Sequence, residues 1–195
     1  MRFWIGMIMA LALCTPASAQ NEADPDIQVC LHTVDNFEQQ IKACNKLVER
    51  MTRYIDATAA DFPPPSQLSI RAKAYFKLGE FDHVIEDMTR VIGEMPGNAF
   101  PYFLRAQAHY WKFEYLEAFE DVQSSIERDP SEAEPYVLRG GIYQTEGQHG
   151  PEGPSREHYC QLAKADYEKA LSLNKNSNEA RYALQIANEY WCRKH

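Results

Sequence analysis

The cysteines are the residues whose type and number most directly suggest chemistry. There are five, and Cys14 falls in an N-terminal apolar stretch, which leaves an even set of four: Cys30, Cys44, Cys160 and Cys192. An even number is typical of disulfide bonding in an oxidising compartment, although four cysteines allow three pairings. A redox or metal site is the alternative, but the sequence has no Cys-x-x-Cys motif and no common zinc spacing. We therefore predict two disulfides, no metal and no cofactor.

Arginine and aspartate each recur three times along the chain, and we call these two sets of residues the arginine column and the aspartate column. The two columns could form ion pairs. The arginines Arg71, Arg105 and Arg139 are equally spaced along the chain. An arginine column could bind an anionic ligand, but the aspartate column would already neutralise the positive charge of the arginines. Partly buried charges favour bidentate arginine–carboxylate pairs, because each charge then needs a partner. The predicted pairs are Arg71–Asp87, Arg105–Asp121 and Arg139–Asp166.

The remaining residue types favour no catalytic chemistry. His149 and His158 flank a Gly/Pro-rich segment, 148–158, and are predicted as surface residues of an inserted loop rather than as metal ligands. His109 is predicted as a packing residue. No nucleophile–base pair, glycine-rich phosphate loop or carboxylate dyad is present. We therefore predict that the protein is not an enzyme; a thiol-dependent enzyme is a distant alternative.

The first residues have the pattern of an export signal. One cation, Arg2, precedes an apolar run over 3–14, and Ala17-Ser18-Ala19 follows. Such a pattern predicts cleavage after Ala19 and a periplasmic or secreted mature protein. The apolar run is shorter than the roughly 20 residues that span a bilayer, and no later run approaches that length. We expect no membrane span in the mature chain.

Composition and charge narrow the class of partner. The chain has 195 residues, 45% of them apolar, which fits one globular domain. Its net charge of −8 argues against nucleic acid as the main partner. We therefore expect a protein or peptide partner.

The elements that position these residues are repeated. A constant offset of about 34 residues, a length typical of helical repeats, aligns Ala72 with Ala106 and Gly140, and Pro96 with Pro130. The second half of the third unit lies further from its counterpart, because a segment is inserted after Gly147. Apolar residues within each half-unit follow helical spacing, so each unit is predicted to be a helical hairpin. Gly79 and Gly147 are expected in the turns between the paired helices.

These repeat residues resemble the tetratricopeptide repeat family, and the export signal and small size resemble its exported or periplasmic bacterial members. The residues that carry the resemblance are Tyr75, Gly79, Phe81 and Pro96; Tyr102, Ala106, Tyr115, Ala118 and Pro130; and Tyr136, Gly140, Tyr143, Gly147, Ala163, Tyr167 and Ala170. The resemblance implies an all-α, right-handed solenoid of antiparallel hairpins. Its expected parts are a signal peptide over 1–19, a loose segment and degenerate hairpin over 20–64, a solenoid over 65–195 with repeats 65–98, 99–132 and 133–176, and a cap helix over 178–192.

This arrangement of hairpins favours one disulfide pairing. Cys30 and Cys44 would lie on facing helices of the first hairpin. Cys160 would begin a helix that runs antiparallel to the cap helix, whose end carries Cys192. We therefore predict the pairs Cys30–Cys44 and Cys160–Cys192.

The resemblance also implies a binding face, because the first helix of each hairpin lines the concave side in this family. The residues predicted there are Lys73, Phe76, Phe100, Phe103, Gln107, Tyr110, Trp111 and Gln144. Exposed aromatic side chains are typical of interfaces, which favours an apolar or aromatic peptide segment. The alternative is that the N-terminal hairpin or the cap helix covers them.

We accordingly predict a non-catalytic interaction scaffold in an extracytoplasmic compartment, with a protein or peptide segment bound in the groove. The alternative is a structural subunit of a permanent cell-envelope complex.

Overall fold

The structure, a computed structural model, describes residues 24–32, 36–57, 64–149 and 154–192. All regular structure in this part of the chain is helical, which confirms the all-α prediction. The helices are α1 (Pro25–Leu31), α2 (Phe37–Ala57), α3 (Pro65–Leu78), α4 (Phe81–Glu94), α5 (Ala99–Trp111), α6 (Tyr115–Arg128), α7 (Glu134–His149), α8 (Pro154–Leu173) and α9 (Asn178–Ile186). A π-helical segment, Ala187–Trp191, continues α9. The predicted signal peptide lies outside the described residues.

Consecutive helices pack in pairs, and the pairs stack. Helices α1 and α2, α3 and α4, α5 and α6, and α7 and α8 form the four pairs. The first helices of successive pairs also contact each other, α3 with α5, α5 with α7, and α7 with α9. This is the predicted solenoid of helical hairpins, with the first helices on the tighter side of the stack.

The turn between α3 and α4 depends on a glycine. Gly79 has a φ of 77°, in the left-handed region that glycine adopts without steric cost. In this conformation Gly79 N donates to Phe76 O at 3.1 Å and Glu80 N donates to Tyr75 O at 2.9 Å. These bonds satisfy carbonyls that the end of α3 would otherwise leave unpaired.

The turn between α5 and α6 has the same geometry without a glycine. Phe113 occupies the position one repeat after Gly79, and its φ is 64°. Phe113 N donates to Tyr110 O and Glu114 N donates to His109 O, both at 3.0 Å. The backbone of the repeat therefore imposes a left-handed residue here even though a side chain is present.

The α7–α8 hairpin differs from the sequence prediction at its turn. Gly147, expected in the turn, lies inside α7, so that prediction is wrong. Its missing side chain makes room for other residues: a Cβ atom there would lie 2.5 Å from Trp191 Cζ2 and 2.9 Å from Tyr159 Cβ. The Gly/Pro-rich composition of the inserted segment predicts a loop, and that prediction is wrong for its described residues. Apart from 150–153, which lie outside the described residues, the segment lengthens α7 and α8.

Small residues let the paired helices approach closely. Ala72 and Ala106 have no exposed surface. At the equivalent position in the third repeat, a Cβ atom on Gly140 would lie 2.5 Å from Tyr167 Cε1. Burying large side chains against these positions is what stabilises each hairpin.

The N-terminal hairpin has its own small core. Cys30, Cys44, Leu47 and Met51 are buried together and pack against Ala74 of α3. Because this hairpin stacks on α3, it covers the N-terminal end of the solenoid.

In the described part of the chain, no helix is both long and apolar enough to cross a membrane.

Candidate functional site

The arginine and aspartate columns meet in bidentate ion pairs. Each arginine directs Nε and Nη2 at the two carboxylate oxygens of one aspartate. The bond lengths are 2.9 and 2.6 Å for Arg71–Asp87, 2.7 and 2.7 Å for Arg105–Asp121, and 2.8 and 2.7 Å for Arg139–Asp166. These hydrogen bonds raise the pKa of each guanidinium above its usual value.

The third nitrogen of each arginine bonds to the preceding hairpin, a contact that is absent from the predicted ion pairs. The Nη1 atoms donate to Thr52 Oγ1 at 3.2 Å, Thr89 Oγ1 at 2.8 Å and Gln123 Oε1 at 2.7 Å. The signal was present, because Thr89 and Gln123 are separated by the same offset as the arginines. Each arginine therefore joins two hairpins, and its donors are not directed at a ligand.

The four described cysteines form two disulfides, Cys30–Cys44 and Cys160–Cys192. Their Cα atoms lie 4.7 and 5.6 Å apart, respectively. The first bond joins α1 to α2, and the second joins α8 to the end of the cap. Within the described residues there is no group of three or more His, Cys, Asp or Glu side chains that could hold a metal ion.

His109 is half-buried in the α5–α6 hairpin, as predicted for a packing residue. Its Nδ1 atom lies 2.7 Å from Glu114 Oε2, and its Nε2 atom lies 3.9 Å from Asp121 Oδ2. Lys112 Nζ lies 2.7 Å from both Glu114 Oε1 and Asp82 Oδ1. Hydrogen bonds, first from Lys112 and then from His109, hold the pKa of Glu114 below its usual value.

Two of the predicted binding residues, Phe100 and Phe103, line a cavity of about 520 Å3 that we call the front depression. It lies at the start of α5 and α7, where the repeats join. Lys73 from α3 does not line it, but its Nζ atom lies 4.6 Å from the centroid of the Phe100 ring. The full lining is Gly97, Asn98, Ala99, Phe100, Phe103, Ser125, Arg128, Asp129, Glu132, Glu134 and Pro135.

Two further predicted residues, Tyr110 and Gln144, line a cavity of about 440 Å3 between α5, α7 and α9 that we call the rear depression. Gln144 Oε1 accepts a hydrogen bond from Tyr167 Oη at 3.1 Å, which holds the amide in place. Burial raises the pKa of the Tyr167 hydroxyl, so this donor stays protonated. The other wall is made by the cap residues Tyr182, Ala183 and Ile186, which are not among the predicted binding residues.

The other predicted binding residues line neither depression. Gln107 is half-buried on α5, between Phe103 and Tyr110 in sequence. Phe76 and Trp111 lie against Phe81 near the hairpin turns, with ring centroids 5.5 and 6.3 Å away. The structure therefore divides the predicted face into two depressions and an aromatic cluster at the turns.

Comparison with known proteins identifies the fold. The sequence matches no protein-family model and none of the curated proteins. Among solved structures, the first TPR (tetratricopeptide repeat) domain of Spaghetti (RPAP3), bound to the HSP90 peptide SRMEEVD, is 24% identical with a TM-score of 0.56 and covers 64% of this chain and 90% of its own.

Two more structures agree. The second TPR domain of human RPAP3, in complex with the HSP70 peptide SGPTIEEVD, is 26% identical with a TM-score of 0.54, over 64% of this chain and 98% of that one. MamA is 21% identical with a TM-score of 0.56, over 78% of this chain and 77% of that one. The helical stack described above thus has the fold of a tetratricopeptide repeat solenoid.

Proposed function

We propose that this tetratricopeptide repeat solenoid is a non-catalytic interaction scaffold that binds a peptide or protein segment along its front and rear depressions. The observation that carries the proposal is the placement of Phe103 and Tyr110. Both are half-buried aromatic residues on one helix, α5, and each lines an open cavity. Partly exposed aromatic side chains in a groove are the groups that anchor most protein interfaces.

The solved neighbours support a segment as the ligand. Both RPAP3 domains were solved with short peptides, SRMEEVD and SGPTIEEVD. The cavities of this chain, about 520 and 440 Å3, are large enough for several side chains of such a segment. The described cysteines are bonded to each other, so they offer no thiol for catalysis.

We also propose that the scaffold works outside the cytoplasm, in the periplasm or after secretion. Two sequence and structural features support this location. Residues 1–19 have the pattern of an export signal, and the chain places its four remaining cysteines in two disulfides. Disulfides persist in oxidising compartments and are rare in the cytosol.

The groove is tested by capturing partners from the native compartment with the wild type and with a Phe103→Ala, Tyr110→Ala variant. The partner bound by the wild type should be lost, while far-UV circular dichroism shows unchanged helicity. Tyr54→Ala is the matched control, because Tyr54 is a 47% exposed aromatic residue on α2, outside both depressions. A partner that binds the groove variant as well as the wild type contradicts the proposal.

A second candidate function, a structural subunit of a permanent envelope complex, is favoured by one observation. Trp111, Phe113 and Leu116, which we call the turn edge, are 58%, 76% and 68% exposed. Such an exposed apolar surface is typical of a contact with another protein. A stoichiometric complex that survives the groove variant but dissociates with Leu116→Asp would support this function instead.

A further inference from the structure

The front depression has an apolar floor. Phe100, Phe103 and Pro135 line it, and Ala99 completes the apolar surface. Phe100 is held in place because Asn98 Oδ1 accepts a hydrogen bond from its backbone N–H at 3.1 Å, which caps α5. A floor of this kind receives an aromatic or aliphatic side chain.

Among the described residues, the only cation that lines the front depression is Arg128, and its hydrogen bonds go to other residues of the chain. Arg128 donates to Pro96 O at 2.6 Å, to Ser124 O at 2.7 Å and to Tyr102 Oη at 3.0 Å. Its guanidinium carbon also lies 3.9 Å from the centroid of the Tyr102 ring. All three of its nitrogens are therefore engaged within the chain, where they hold together the junction between repeats.

The carboxylates that line the front depression make fewer contacts within the chain than Arg128 does. Asp129 accepts hydrogen bonds from Ser131 N and Ser131 Oγ, at 3.0 and 2.6 Å, and these hold its pKa below the usual value. Glu132 and Glu134 are exposed, and their side chains have no hydrogen-bond or ion-pair partner within the described part of the chain. Three carboxylates thus line the front depression beside its apolar floor, and the exposed arginine near them already donates to oxygen atoms of the chain.

We propose that the front depression selects a segment in which a lysine or arginine lies next to an aromatic or aliphatic residue. This inference rests on the proposed function of the groove and adds the charge of its ligand. The apolar side chain fills the floor formed by Phe100 and Phe103, and the neighbouring cation faces Glu132 and Glu134. Complementary charge at the rim of an interface sets specificity and speeds association more than it adds affinity.

The probe is a phage-displayed library of random linear heptapeptides, selected on the oxidised chain from Gln20 to His195. We expect the selected peptides to be enriched in lysine and arginine beside phenylalanine, leucine or tyrosine. A Glu132→Gln, Glu134→Gln variant should bind these peptides roughly threefold to tenfold more weakly, because two exposed ion pairs are lost. Raising the salt concentration should reduce the same difference.

The matched control is Glu120→Gln, Glu168→Gln, which removes the same charge from exposed positions on α6 and α8. It should bind the selected peptides as the wild type does, and thermal unfolding should show that both variants are folded. Selection of acidic or neutral peptides, or equal binding by the Glu132→Gln, Glu134→Gln variant, overturns the charge inference. If those peptides still depend on Phe103, the groove proposal stands.

Two outcomes overturn both proposals. One is that no peptide is enriched over the unselected library. The other is that the selected peptides bind a Phe103→Ala, Tyr110→Ala variant unchanged. A depression occupied by a second copy of the chain, detected as a dimer by sedimentation that dissociates with Phe103→Ala, also overturns the peptide-selection inference.

Discussion

Phe113 and Gly79 occupy equivalent turns of successive repeats, and both have a left-handed backbone, with φ of 64° and 77°. The hydrogen bonds that close the two turns are also equivalent. A side chain at such a position costs roughly 1–2 kcal/mol relative to the right-handed region. The α5–α6 hairpin therefore stores strain that the α3–α4 hairpin does not.

The substitution Phe113→Gly should stabilise the protein by roughly 0.5–1 kcal/mol. Glycine relieves the strain of the left-handed backbone, and this gain exceeds the conformational entropy that glycine loses on folding. Little burial is lost, since the ring is 76% exposed. Urea unfolding measures the effect. Gly79→Ala is the reciprocal variant and should destabilise the α3–α4 hairpin. A loss of stability on Phe113→Gly would mean that the Phe113 ring contributes more packing than its exposure indicates.

The substitution Arg105→Ala should destabilise the protein by roughly 3–5 kcal/mol, because it leaves the buried carboxylate of Asp121 without its partner. Asp121 is only 6% exposed, and the variant also removes the bond to Thr89 in the preceding hairpin. Denaturant unfolding is the measurement. Lys46→Ala breaks an exposed pair with Asp26 and should cost no more than about 1 kcal/mol. Equal effects of the two changes would contradict the structural role of the arginine column.

Two adjacent glycines of α7 should respond to alanine in opposite directions. At Gly140 a Cβ atom would lie 2.5 Å from Tyr167 Cε1, and Tyr167 is fully buried, so Gly140→Ala should cost roughly 1–3 kcal/mol. At Gly141 the nearest atom is Tyr110 Oη at 3.8 Å, so Gly141→Ala should stabilise the helix by roughly 0.5–1 kcal/mol. Thermal and urea unfolding of the two variants measure both changes in stability. The same sign for both would show that the close contact with Tyr167 is not what requires Gly140.

Removing the cap disulfide with Cys160→Ser and Cys192→Ser should lower stability by roughly 3–4 kcal/mol, since the bond closes a loop of 32 residues. Trp191, which is 4% exposed and lies next to Cys192, should become more exposed to solvent. In a Trp111→Phe background, a red shift of tryptophan fluorescence reports this in the processed chain. Cys30→Ser with Cys44→Ser is the control and should leave the emission unchanged; a red shift in the control as well would contradict a local role for the cap disulfide.

Lys112 links the strained turn to the preceding repeat and should make stability depend on acid pH. Its hydrogen bonds hold the pKa of Asp82 below 3.8 and that of Glu114 below 4.5. Groups whose pKa is lowered by folding contribute stability above the unfolded pKa, and lose it as the pH falls through the folded pKa. The wild type should therefore exceed Lys112→Met in stability at pH 6, and the difference should shrink below pH 4.5. A difference that is constant from pH 6 to pH 3 would contradict these ion pairs.

Much of the architecture follows from the sequence because the repeat places chemically matched residues at one offset. Arg105 and Asp121 can be paired without coordinates, since an antiparallel hairpin brings their two columns to the same height. The limits of the inserted segment could not be obtained in this way. Its Gly/Pro-rich composition indicates a loop, but packing of Trp191 and Tyr159 against Gly147 keeps that residue helical.

The sequence alone determined the helical class, the unit of repetition and the aromatic character of α5, because these depend on spacing along a single chain segment. Only the tertiary structure decided which aromatic residues line a cavity. Phe103 and Tyr110 do so, whereas Trp111 stacks on Phe81 of the preceding hairpin and Tyr182 enters from the cap. The accessibility of a side chain depends on neighbours that are distant in sequence, and helical periodicity carries no information about them.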